Sequence, residues 1–135
     1  MSGLILKLGP RERVMINGVV IENGDRRTRL SVVTPDAKIL RLKDAIHPSE
    51  ATTPVTRVCY IAQLLISGEV DANQAKRDLQ VGIGQLTQVF QDHYSQEVLD
   101  TAKVELSREN YYHTLKALRR LIDVEAQLMA LSAAE

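Results

Sequence analysis

Apolar and polar positions alternate along the first third of the chain and then stop alternating. In "LILKL", Leu4, Leu6 and Leu8 fall on one face at a period of two, which predicts a strand. Gly9-Pro10 ends it. "RVMI" and "VVIE" flank Asn17-Gly18 directly. Asn-Gly tolerates the two positive φ angles of a type I′ turn, so a two-residue hairpin is predicted there. A second Asn-Gly, Asn23-Gly24, ends the next strand and opens a looser loop through Asp25, Arg26 and Arg27. "TRLSVV" follows as a strand, Thr34-Pro35-Asp36-Ala37 as a turn, and "KILRL" as a last short strand. Short strands with turn signals at close intervals predict a small antiparallel sheet or barrel.

Past His47-Pro48 the apolar period lengthens to that of a helix. Thr53 before Pro54 reads as an N-cap with proline at the first helical position. Val55, Val58, Cys59, Ala62, Leu65 and Ile66 then share a face, and Gly68 fits the stop. Asp71 with Gln74 resembles a capping box. Ala75, Leu79, Gly82, Ile83, Leu86 and Phe90 form the next stripe. Gly82 and Gly84 weaken that helix by about 1 kcal/mol each relative to Ala, and suit close helix approach. "SQEVLDTAKVEL" is a shorter helix. "ENYYHTLKALRRLIDVEAQLMALSA" is the longest, with Tyr111, Leu115, Leu118, Ile122 and Met129 along one side, widened by Leu121 and Leu128. The predicted fold is α+β: a β module over 1–47, then a helical module over 48–135 with a bundle of three to four helices.

Composition narrows the picture. Aromatic residues make up 4% of the 135, with no Trp, so the core rests on Leu, Ile, Val and Ala. Net charge is zero but unevenly spread. Residues 1–46 hold nine Lys/Arg against five acids, +4, and residues 47–135 hold eight against twelve, −4. A basic half of this kind is a hint of contact with nucleic acid or another anionic surface. The single cysteine, Cys59, permits no internal disulfide, and no apolar run reaches bilayer length; the expectation is a cytoplasmic protein with no membrane association.

The residues offer no catalytic site, metal site or cofactor site. His47, His93 and His113 lie far apart in sequence and in no metal-ligand spacing. His93 is expected near a helix end, against its C-terminal carbonyls. Cys59 lies on an apolar stripe, as a buried inert thiol does. Glu105 and Glu109 fall at a helix break and read as solvated surface. What remains is charge: Arg11 and Arg13 at the first loop, Arg26, Arg27 and Arg29 around the second, Arg41 and Lys43 at the end of the last strand. Loop arginines suit the phosphates of single-stranded or stem-loop RNA. The basic half has no aromatic residue, so bases cannot stack on its sheet as they do on a recognition-motif platform. On chemistry alone, charges that keep sheet edges soluble are the favoured reading.

"LILKLGPRERVMINGVVIENGDRR", "ILRLKDAI" and "ATTPVTRVCYIAQLLISGE", in that order, resemble the FlbT family of flagellum-biosynthesis repressors. The resemblance runs over essentially the whole chain, most specifically over Leu6–Asn23, Leu40–Ile46 and Pro54–Gly68. It implies a post-transcriptional regulator that associates with the 5′ untranslated region of flagellin mRNA and favours its degradation. Some family members act positively on flagellin. FlaF, a small flagellar protein of the same pathway, is the partner this implies. "LILKLGPRERVMING" and "ILRLKDAI" are also similar to the opening and closing strands of the carbon storage regulator, a dimeric RNA-binding β-protein. There Lys43 takes the place of a family arginine and Ala45 that of an acid. Lys43 keeps the charge but loses the bidentate fork. This second similarity implies a homodimer whose sheet is completed by strand exchange.

The leading expectation is therefore an mRNA-binding regulator, not an enzyme, acting through Arg11, Arg13, Arg26, Arg27, Arg29, Arg41 and Lys43. The rival is a chaperone-like adaptor that binds FlaF or flagellin through the helical module and affects mRNA only indirectly. Tyr94, Tyr111 and Tyr112, near the helix junctions, are its candidate anchors.

Overall fold

The computed structural model of the protein describes residues 4–134. The chain divides into two compact units, Met1–Ala45 and Ile46–Glu135.

The first unit holds five short strands: β1 (Leu4–Leu8), β2 (Arg13–Ile16), β3 (Val19–Glu22), β4 (Thr28–Val32) and β5 (Ile39–Arg41). The β2–β3 hairpin forms as its sequence demands, with Asn17 at φ 51° and Gly18 at φ 84°. Asn17 also anchors the return of the chain. Its Oδ1 accepts from the Lys38 N–H at 2.8 Å, and its own N–H donates to the Lys38 carbonyl at 2.8 Å.

The strands form the small antiparallel module expected from their spacing, divided into two sheets. β1 pairs with β4, and β3-β2-β5 form a three-stranded sheet, all antiparallel. The reason lies in the link between β1 and β2. Pro10 cannot donate a backbone hydrogen bond, and Arg11 takes a left-handed φ of 59°, so the chain turns a corner. β1 is left to pair with β4, in the register Leu6↔Leu30 and Lys7↔Arg29. Among the described residues of this unit, Leu6, Leu8, Val14, Ile39 and Leu40 are the buried apolar ones.

The second unit holds α1 (Pro54–Ser67), α2 (Ala72–Val89), α3 (His93–Ser107) and α4 (Tyr111–Ala134). α4 packs on α1 and α3, and α2 on the same two, which closes a four-helix bundle. Its fully buried residues include Leu65, Ile66, Leu79, Ile83, Leu86, Leu99, Leu118 and Leu121. Thr53 and Thr56 form a capping box around Pro54, and Gly68 ends α1 at φ 76°. At α2 only half of the expected box exists. Asp71 accepts from the Gln74 N–H, but the Gln74 side chain turns to Asp78 and Arg77 instead.

One cap comes from far along the chain. Glu125 of α4, 7% exposed, accepts from the Val55 N–H at 3.0 Å and the Thr53 hydroxyl at 2.5 Å. A buried carboxylate therefore satisfies the N-terminus of α1, where the helix dipole favours negative charge. Beyond Glu125 the α4 stripe has no cover: Leu128, Met129 and Leu131 are exposed.

Candidate nucleic-acid interface

Apart from Lys38, which is exposed and stands outside both, the cations of the first unit fall into two groups. In the first, each is held by a carboxylate. Glu12 is the hub. Its side chain accepts from Arg41 Nη1 at 2.8 Å and from the Gly9 N–H at 3.0 Å, and lies 3.8 Å from Lys43 Nζ. Burial by itself raises the Glu12 carboxyl. The Gly9 hydrogen bond and the charges of Arg41 and Lys43 outweigh it and hold the group below its ordinary value. The Arg41 side chain is only 15% exposed, so it serves the interior of the unit more than its surface. Arg11 pairs with Asp25 at 2.6 Å and reaches Glu22 at 3.7 Å, and Arg13 pairs with Glu22 at 2.9 Å.

The second group is Arg26, Arg27 and Arg29. All three are exposed, and among the described residues none is in an ion pair with a carboxylate. A fourth cation joins them. Lys7 lies directly opposite Arg29 in the β1–β4 register, and both are exposed on the outer face of the ribbon beside Ile5 and Ser31. Like charges placed directly across a strand pair repel one another. Arg26 and Arg27 stand two or three residues before Arg29, within about 10 Å along the chain. Lys7 and Arg29 thus share an exposed cationic face of the ribbon, and Arg26 and Arg27 lie in the loop that leads into it. An anion bound there would relieve the Lys7–Arg29 repulsion without first breaking an ion pair.

The candidate protein anchors do not form one patch. Tyr94 opens α3 and is 51% exposed. Tyr111 and Tyr112 open α4, at the other end of α3 and roughly 20 Å from Tyr94 along the helix. Both are half-buried. Burial and the neighbouring Glu109 charge raise the Tyr111 hydroxyl, and Tyr112 meets the His113 ring edge-on at 5.3 Å.

Two polar assignments are corrected. His93 does not face helix C-terminal carbonyls: α2 stops at Val89, and His93 is the first residue of α3, paired with Glu97 at 3.0 Å. Glu105 is not simply solvated. Its side chain is 16% exposed and accepts from Asn110 Nδ2 at 2.9 Å, which ties the α3–α4 corner where Glu109 turns at φ 59°. The Cys59 thiol is pushed up to about 12, by burial first, so it carries no reactive thiolate at neutral pH. No group of His, Cys, Asp and Glu among the described residues could hold a metal ion. No helix among them is long and apolar enough to cross a membrane.

A family model described as flagellar protein FlbT matches residues 4–129. The chain belongs to the FlbT family. It is 32% identical over 123 residues to the flagellum biosynthesis repressor protein FlbT of Caulobacter vibrioides, covering 90% of this chain and 86% of that one. It is 33% identical over 129 residues to a probable repressor of the same name from Rhodopseudomonas palustris, covering 94% and 98%. A probable FlbT from Mesorhizobium japonicum is 25% identical over 126 residues, covering 93% and 84%. No solved structure gives a significant match. This is a family of flagellum biosynthesis repressors.

The matched FlbT span contains every cation discussed above. Sequence reasoning named Arg26, Arg27 and Arg29 and missed Lys7. The available signal was its position between Leu6 and Leu8 on the outward side of β1. Pairing of β1 with β4, the strand that carries Arg29, was the step needed to use it.

Proposed function

We propose that this FlbT protein binds the 5′ untranslated region of flagellin mRNA in the cytoplasm and promotes its degradation. Lys7, Arg26, Arg27 and Arg29 contact phosphates. The supporting observation is the cross-strand pair Lys7–Arg29, exposed and without a carboxylate partner, with the Arg26-Arg27 loop beside it. Arg11 and Arg13 form the rim of this surface, already paired to Glu22 and Asp25. Arg41 and Lys43 hold the fold through Glu12. With no aromatic residue in residues 1–46, recognition rests on arginines, backbone groups and RNA shape.

The test is electrophoretic and fluorescence binding of the purified protein to the cognate flagellin leader across a salt series. Four phosphate contacts to a single strand give a log–log salt slope of about −2.8. R26Q/R27Q halves it to about −1.4. An absence of binding, or an unchanged slope in the variant, refutes the assignment.

A second reading has its own observation. The end of α4 exposes Leu128, Met129 and Leu131, and Tyr94 and Val89 are exposed on either side of the α2–α3 connection. On this reading the protein is an adaptor that binds FlaF or flagellin and alters mRNA only indirectly. Pull-down with and without ribonuclease separates the two: binding of leader RNA by the purified protein alone excludes the indirect version.

A further inference from the structure

The Asn23 side chain ties the loop that carries Arg26 and Arg27 to the β1–β2 corner. Asn23 Nδ2 donates to the Gly9 carbonyl at 2.7 Å and to the Arg26 carbonyl at 2.9 Å, with the Leu8 carbonyl at 3.4 Å. Its two N–H donors thus bridge residues fourteen positions apart on one side and three on the other. The backbone completes the join. The Asn23 N–H donates to the Glu12 carbonyl at 2.8 Å, and the Arg11 N–H to the Gly24 carbonyl at 2.9 Å. Thr28 Oγ1 adds a second donor to the Arg26 carbonyl at 3.1 Å. The β1–β2 corner and the β3–β4 loop are laced together at this residue. Asp, Ser or Thr cannot offer two N–H donors from one side chain, and Gln carries its amide one methylene further out.

We propose that Asn23 is the positioning residue of the arginine loop that leads into the cationic face. It fixes the Arg26 carbonyl, and with it the backbone from which Arg26 and Arg27 project, before RNA arrives. This rests on the RNA-binding reading above. Without Asn23 the loop must be ordered during binding, and two long side chains lose freedom at that step. The expected cost is about a tenfold loss of affinity.

The experiment is a cycle of Asn23→Ala, the double variant R26A/R27A, and all three substitutions together, measured as affinity for the flagellin leader at fixed salt. Backbone amide exchange is measured in parallel on the free proteins. Asn23→Ala alone weakens binding about tenfold. In the R26A/R27A background it has no further effect, because the side chains it positions are gone. A further loss in that background shows a general structural role and overturns the proposal. In the free protein, Asn23→Ala speeds exchange of the amides from Asp25 to Thr28 and leaves those of β2 and β5 unchanged; equal protection in variant and wild type overturns it. Should Asn23→Ala fail to fold, Thr28→Val removes only the second donor to the Arg26 carbonyl. It must then weaken binding in the same direction and lose that effect in the R26A/R27A background. Wild-type protein that binds no leader RNA refutes the function and this role together. Binding that is unaffected by a loosened loop refutes this role alone.

Discussion

Gly82 and Gly84 stand two residues apart in α2, and alanine in their places should act with opposite sign. At either position Gly→Ala removes a helix penalty of about 1 kcal/mol. At Gly84 nothing lies within 4 Å of an added Cβ, so that gain is kept and the bundle becomes more stable. At Gly82 an added Cβ falls 2.8 Å from Val58 Cγ2, with Val58 Cγ1 at 3.7 Å and Cβ at 3.8 Å. The favourable carbon–carbon separation is about 3.5–4.0 Å. Val58 is nearly fully buried and β-branched, so in a helix it has one strongly preferred rotamer and cannot swing aside. Relief must come from a shift of α1 against α2, and overpacking of this kind costs about 1–3 kcal/mol. G82A is therefore neutral to destabilising, by up to about 2 kcal/mol, and lies about 1–3 kcal/mol below G84A. Urea unfolding followed by helical circular dichroism measures both, with unchanged m-values required for the comparison. In a V58A background the obstruction is absent, and G82A becomes stabilising by about 1 kcal/mol. Stabilisation of the wild-type bundle by G82A as large as that by G84A would show that α1 and α2 do not meet at Gly82.

Glu125→Ala leaves the buried Val55 N–H without its acceptor and should cost about 1–3 kcal/mol in thermal or urea unfolding of the helical unit. Glu125→Gln, which keeps an acceptor oxygen, should lose less. The Glu12 carboxyl lies below its ordinary value of 4.5 in the folded protein, so the stability it contributes is present above that pH and fades as pH falls through the lower, folded value. Glu12→Gln should flatten this acid limb in a pH series of denaturation midpoints. Cys59 should resist a thiol reagent at neutral pH in the native protein and react at the ordinary thiol rate once urea unfolds the bundle; rapid native labelling would contradict its burial.

Much of the architecture could be read from short stretches because the forces that set it act over a few residues. Asn17-Gly18 dictates its own turn, Thr53-Pro54 and Gly68 mark the two ends of α1, and the period of apolar residues separates strands from helices. Partial errors arose where a second local solution was open. Gln74 found Asp78 and Arg77 as partners in place of the cap, and α2 stopped early enough for His93 to begin α3.

The arrangement of charge was decided elsewhere. Sequence reasoning could list the cations near the start of the chain, but not which of them the acids would take up. That depends on Glu12 meeting Arg41 across 29 positions and on Arg11 turning through a left-handed φ toward Asp25. It could not place Lys7 opposite Arg29, because β1 skips its neighbour β2 and pairs with β4. Asn23 read as a turn residue, and only the folded loops bring the Gly9 and Arg26 carbonyls to its amide. The same division holds in the helices, where Glu125 reaches Thr53 and Val55 from about 70 residues away. Short-range sterics and capping chemistry wrote the elements into the sequence. The pairing of distant charges depends on which loops close, and that is a property of the folded chain.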